Sequence, residues 1–328
     1  MTTAAADNFT LPSADQVRQH LEDHPPQGPS PWFARLPLLA LVIIGALLLL
    51  GDTWLSLTLP WVILVALFVV MGWRGRQVQR LERRVGQCQE WAMRRYYRAS
   101  LEDGWALLSH VQRQPLLRHR LIAVLGHCLE DLGCNEAAIE VYDHLLEDVE
   151  EDHPAAVQLH AHRAIAALGC DRLADADDAL RQVQQNIDPN QPSSLSAAYH
   201  LARLLQEVRT HHYREATQRG EGMIDTLRPL GVEAGFGHAL MAWSHRQQAL
   251  KHNDTPSASD STTATASADD ASDRAASGTD EHGPPSPAIP NHTNQMQQWW
   301  RRATLLLTPA AIVHRFPELA PLAKEDPR

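Results

Sequence analysis

HRLIAVLGHCLEDLGCNEAAIEVYDHLLEDVEED, residues 119–152, is the stretch that decides the fold. Just upstream, Pro115 suits a first helical position, where its missing N–H costs nothing, and Gly133 suits the left-handed residue that follows a helix end. One helix is thereby bracketed, from roughly Pro115 to Leu132. Asn135 can cap a second helix and Glu136 meets its positive end, while Ala138, Tyr142, Leu145 and Leu146 recur at helical spacing on one face. Gly126 and Ala138 are small, as two closely packed helices require, and a bulky side chain at either should push the pair apart. Such a pair cannot bury both apolar faces by itself, so the stretch implies neighbours built the same way.

These residues carry a resemblance. Leu125, Gly126, Leu129, Gly133, Ala138 and Tyr142 fall on successive signature positions of the tetratricopeptide (TPR) repeat, with Ile122 at its usual Trp position. Upstream, Trp91, Ala92, Gly104, Leu108 and Val111 take corresponding positions in residues 85–118. Downstream, helix pairs are expected over Pro154 to Leu168 with Leu173 to Val183, and over Leu195 to Val208 with Tyr213 to Leu227. In the second of these, Gly220 stands where the family carries an aromatic residue. A last unit joins Phe236, Ala239, Leu240 and Trp243 to Trp300, Ala303 and Pro309, with Met296 at a position usually held by Ala. Residues 251–292, rich in Ser, Thr, Ala, Asp and Pro, interrupt it; they contain too little apolar surface to offset the entropy of ordering.

Two apolar runs precede the repeats, Leu36 to Leu50 and Trp54 to Met71, joined through Gly51 and Asp52. They read as a transmembrane hairpin. Arg35 stands before the first run and Arg74, Arg76, Arg80, Arg83 and Arg84 follow the second, which predicts cytoplasmic termini at a bacterial inner membrane. Trp32, Trp54, Trp61 and Trp73 sit where an interfacial aromatic belt would, and Trp32, Trp54, Trp73, Arg74 and Arg76 are the expected anchoring residues. The expected fold is therefore all-α: a flexible arm over 1–34, with a capping box at Ser13 and Gln16, a hairpin over 35–73, and a TPR-like antiparallel helix-pair solenoid over 74–250. A disordered acidic insertion over 251–292 and a final repeat helix with its cap over 293–328 complete it. The order of two spans followed by TPR-like helices is similar to that of HemY-type proteins of tetrapyrrole metabolism, from which the very short inter-span turn departs.

Composition narrows the chemistry. A net charge of −10 argues against nucleic acid as a bulk electrostatic partner. The four cysteines lack C-x-x-C spacing and sit within helical patterns, where a free thiol behaves as a small hydrophobe. Among eighteen histidines, His160 and His162 are two apart and His211 and His212 adjacent, neither being the i, i+4 spacing of a helical zinc pair. The histidines thus read as structural or surface residues, with no metal or cofactor expected. No phosphate loop, nucleophile elbow or Cys–His spacing appears, so an enzyme is not expected.

The resemblance implies a binding scaffold. Positions 89, 93, 123 and 127 hold Gln, Met, Ala and His, so the carboxylate clamp by which some TPR domains grip chaperone tails is absent. Tyr96, Tyr97, Arg120, His127, Glu130 and Asp131 remain as a mixed polar and aromatic inner face suited to a helix or an extended peptide. The alternative at these positions is cover by the neighbouring repeat. The expectation is a membrane-anchored adaptor for an unidentified protein partner. Runners-up are a His-dependent metal-binding or enzymatic envelope protein and a HemY-like accessory factor.

Overall fold

The structure is a computed structural model that describes residues 10–28, 35, 42, 54–150, 153–187, 193–253 and 292–325. Every described element is helical, and the chain divides into two compact units, Met1–Gln191 and Pro192–Arg328.

The first unit contains α1 (Ala14–Asp23), α2 (Trp54–Met93), α3 (Tyr97–Val111), α4 (Pro115–Asp131), α5 (Asn135–Glu147), α6 (Pro154–Gly169) and α7 (Leu173–Asn186). From α2 onward each helix packs on the next, with α2 also reaching α4. Pro115 and Pro154 open α4 and α6, where proline's fixed φ is already helical. Gly133 follows α4 with φ +77°; its N–H bonds Glu130 O at 3.0 Å and the next N–H, of Cys134, bonds Leu129 O at 2.9 Å. That is the paired closure of a Schellman motif.

The same closure recurs after α2 and α6. Arg95 (φ 65°) and Asp171 (φ 58°) take the left-handed place, with Tyr96 N bonded to Trp91 O and Arg172 N to Ala167 O. Arg95, Gly133 and Asp171 are evenly spaced, 38 residues apart. The helix pair therefore repeats on a longer period than the roughly 34 residues used to read the sequence.

Packing follows the apolar spacing. Val85, Cys88 and Ala92 of α2 are buried, as are Leu101, Leu107, Leu108 and Val111 of α3 and Leu121, Ile122, Leu125 and Leu129 of α4. A Cβ placed on Gly126 would stand 2.8 Å from Tyr142 Cε1 and 2.9 Å from Val141 Cγ1, so α4 and α5 touch through the missing side chain. Asn135 begins α5 and does not cap it: Cys134 is the N-cap residue, without a side-chain bond. The Asn135 side chain instead packs on the backbone at Gly169, where a Cβ would meet its Nδ2 at 2.3 Å.

Residues 14–23, read within a flexible arm, form α1. Both bonds of the capping box are present, Gln16 N to Ser13 Oγ at 3.3 Å and Ser13 N to Gln16 Oε1 at 3.0 Å. Val17 and Leu21 are buried, and α1 lies on α5. Arg118, 2% exposed, donates to His24 O at 3.2 Å and to His144 Nε2 at 2.9 Å, tying the end of α1 to α4 and α5.

The two-span hairpin requires correction. Trp32 and the first apolar run lie outside the described residues, apart from Val42. The second run does not end where its apolar residues end: α2 spans 40 residues without a break, through Arg74, Arg76, Arg80, Arg83 and Arg84, into the core at Val85. Among the described residues no helix is long and apolar enough to cross a membrane. The expected membrane location with cytoplasmic termini is therefore overturned, while Trp32 and the side chain of Trp54 lie outside the described residues. Arg74 lines a cleft of about 590 Å³ with Trp73, Gln77, Leu81, His110 and Arg113.

The second unit contains α8 (Ser194–Arg209), α9 (Tyr213–Gly222), α10 (Ile224–Leu227), a 3-10 turn (Arg228–Glu233) and α11 (Ala234–Asn253). It continues with α12 (His292–Leu306), α13 (Pro309–Arg315), a second 3-10 turn (Pro317–Leu319) and α14 (Ala320–Lys324). His211 (φ 63°) follows α8 in the left-handed position, with His212 N bonded to Glu207 O at 2.8 Å. Gly220 is small for a physical reason: a Cβ there would overlap the Met241 side chain. Most of the interrupting segment, residues 254–291, lies outside the described residues. The helices flanking it, α11 and α12, pack on each other, with His238 and Trp299 ring centroids 5.4 Å apart. Phe236 meets Phe316 edge to face at 5.6 Å.

Candidate functional site

The first helices of successive pairs, α2, α4 and α6, carry polar side chains that meet across the helix pairs. Arg120 on α4 is exposed and donates through Nε to Gln89 Oε1 on α2 at 3.0 Å. Seven residues, about two turns, further along α4, His127 and Asp131 form an i, i+4 pair with His127 Nε2 3.2 Å from Asp131 Oδ2. Glu130 lies between them in sequence but is only 3% exposed. Its Oε2 accepts the Tyr142 hydroxyl from α5 at 2.9 Å and stands 3.1 Å from Nδ1 of His162 on α6.

A buried carboxylate left without partners would be costly, and this one is satisfied from two neighbouring helices. The His162 ring stacks on Tyr142, centroids 5.8 Å apart, and meets His127 edge to face at the same distance. One ligand atom from each of His127, Glu130 and His162 lies within 4.8 Å of the other two. His127 Nδ1 is buried and has no hydrogen-bond partner.

Of the expected inner-face residues, Arg120, His127, Glu130 and Asp131 share α4 and gather into this region. Glu130 is covered, the alternative weighed for such positions, whereas Arg120 stays open. Tyr96 and Tyr97 stand at the turn from α2 to α3; Tyr96 is 62% exposed and Tyr97 half-buried. Gln89, Tyr142 and His162 complete the arrangement without having been singled out as binding residues. His162 has no i, i+4 histidine on its own helix, the spacing that marks a helical zinc pair. The readable signal was His127 with Glu130 at i, i+3 on a predicted helix, a pair that needs a third residue from a neighbouring helix.

Other reactive groups are quiet. The four cysteines are free; burial pushes the Cys88 thiol up to about 12, with the Asp103 carboxylate adding to the effect, and that of Cys128 up to about 11. Neither forms a thiolate near neutral pH. No protein-family model matches the chain, and no curated protein or solved structure matches it.

Proposed function

We propose that the protein is a helix-pair scaffold of TPR type that binds a partner protein, as a helix or an extended peptide, along the first helices of its pairs. The observation carrying this reading is the row of polar groups donated by α2, α4 and α6, running from Gln89 and Arg120 to His127, Asp131 and His162. Arg120 and Gln89 bond each other, His127 pairs with Asp131, and His162 rests on the buried Glu130 carboxylate; a paired polar surface on rigid helices suits recognition better than flexible surface charge. Among the described residues no convergent acid, base and nucleophile accompany it, and the proposed role is binding.

Arg120→Glu reverses charge at the most exposed point of the row. Affinity purification from native extract with wild type and this variant, both verified as folded by circular dichroism, tests the reading. A protein recovered by the wild type and lost by Arg120→Glu supports it. An identical set of proteins on both, or none on either, counts against it.

A further inference from the structure

We infer that His127, Glu130 and His162 form a binding site for one divalent transition-metal ion of the zinc class, bridging α4 and α6. This inference shares His127 and His162 with the partner-binding row but does not require that reading, and its test reads metal binding alone. Two imidazoles and a carboxylate are a ligand set that zinc accepts, and three protein ligands leave a tetrahedral ion one open position for water. With bonds of about 2.0–2.1 Å, ligand atoms around a tetrahedral ion are separated by about 3.3–3.4 Å. The Glu130 Oε2 to His162 Nδ1 distance of 3.1 Å is close to that edge, and the third ligand atom lies within 4.8 Å of both.

The surroundings are those of a prepared site. The buried Tyr142 hydroxyl donates to Glu130 Oε2 at 2.9 Å and fixes the carboxylate. Asp131 stands 3.2 Å from Nε2 of His127, and its carboxylate orients the ring so that the lone pair of the other nitrogen is free for a metal. That nitrogen, Nδ1, is buried and without a hydrogen-bond partner. A buried polar atom with no partner calls for a ligand, and the ring that carries it offers a ligand atom within 4.8 Å of two further ligating groups. His127 and His162 side chains are 31% and 24% exposed, so an ion can enter from solvent, whereas Glu130 at 2% supplies the anchored, water-excluded end.

The test uses the full-length chain without a histidine tag, stripped with chelator and titrated with Zn²⁺ by calorimetry and with Co²⁺ by visible absorption. The expected result is one ion per chain and the strong absorption of four-coordinate Co²⁺. His127→Gln, Glu130→Gln and His162→Gln should each weaken binding at least tenfold, while His160→Ala, two residues from His162 on the same helix, should leave it unchanged. Because a Gln variant could lose structure, the wild type is also modified with diethyl pyrocarbonate with and without Zn²⁺. Mass spectrometry should then show His127 and His162 protected by the ion. Stoichiometric binding that survives all three Gln variants, no saturable binding, or no protection of these two rings would overturn the assignment.

Discussion

Gly126 shows how one residue sets the spacing of two helices. Its missing side chain is replaced by Tyr142 and Val141, both rigid against the core. Gly126→Val is expected to lower stability by about 1–3 kcal/mol, measured by urea denaturation, because the helices must separate or distort. The left-handed positions make the opposite prediction. Arg95 holds φ 65°, which costs a residue with a Cβ about 1–2 kcal/mol, in a place where Gly133 pays nothing. Arg95→Gly should therefore raise the unfolding midpoint, the gain reduced to about 1 kcal/mol by glycine's greater freedom in the unfolded chain.

His245 adds a pH dependence at the same scale. Burial, reinforced by His292 with Nδ1 3.3 Å from its own, pushes its pKa down to about 4. Glu221, 3.9 Å from Nε2 and half-exposed, is too distant to bond and offsets little. The ordinary value in the unfolded chain is about 6.5, so as pH falls the unfolded state takes up the proton first. Stability from this neutral, buried ring is complete above about pH 6.5 and is lost between there and about pH 4, on the order of 2–3 kcal/mol in total. Denaturation curves collected across that window should show the loss, and His245→Leu should flatten it.

Among elements, α4 and α5 were the most legible. Pro115 and Gly133 mark their ends by backbone chemistry that needs no tertiary partner, and the observed bounds agree with the reading to within a residue or so. What could not be read was where neighbours interfere. Asn135 carries a good capping side chain, yet Gly169 opens a place for it and Cys134 takes the cap. The period was obscured for a similar reason: Arg95 and Asp171 occupy left-handed positions that only glycine announces in a sequence. Helix α1 belongs here too, since its capping box was visible and its docking was not. Leu21 is 2% exposed beneath it, so Leu21→Ala should cost about 2–5 kcal/mol in a thermal or chemical melt. A negligible change would mean that α1 does not hold its place on α5.

At the scale of the molecule, the apolar residues before the repeats misled most. Length and hydropathy suggest spans, whereas among the described residues no helix is long and apolar enough to cross a membrane, and α2 runs on into a charged and then a core-packed half. Leu64, Val65, Phe68, Val69, Val70, Met71 and Trp73 on its first half are 49–77% exposed. The candidate site was half legible: α4 offered Arg120, His127, Glu130 and Asp131 at helical spacing, but their meeting with Gln89, Tyr142 and His162 depends on how one pair stacks on the next. Contacts between successive helix pairs carry no local signature, which is why His162 reads in the sequence as one more structural or surface histidine.

The claim that partners bind along the first helices is tested most directly by where they touch. A photo-reactive amino acid is placed in turn at Ala123, on α4 between Arg120 and His127, and at Glu102, exposed on the second helix α3. Both proteins are then irradiated in native extract. A covalent adduct to a defined protein from position 123 and none from position 102 is the expected result. An adduct from position 102 with none from 123 would place recognition on the second helices and contradict the binding face proposed for this molecule.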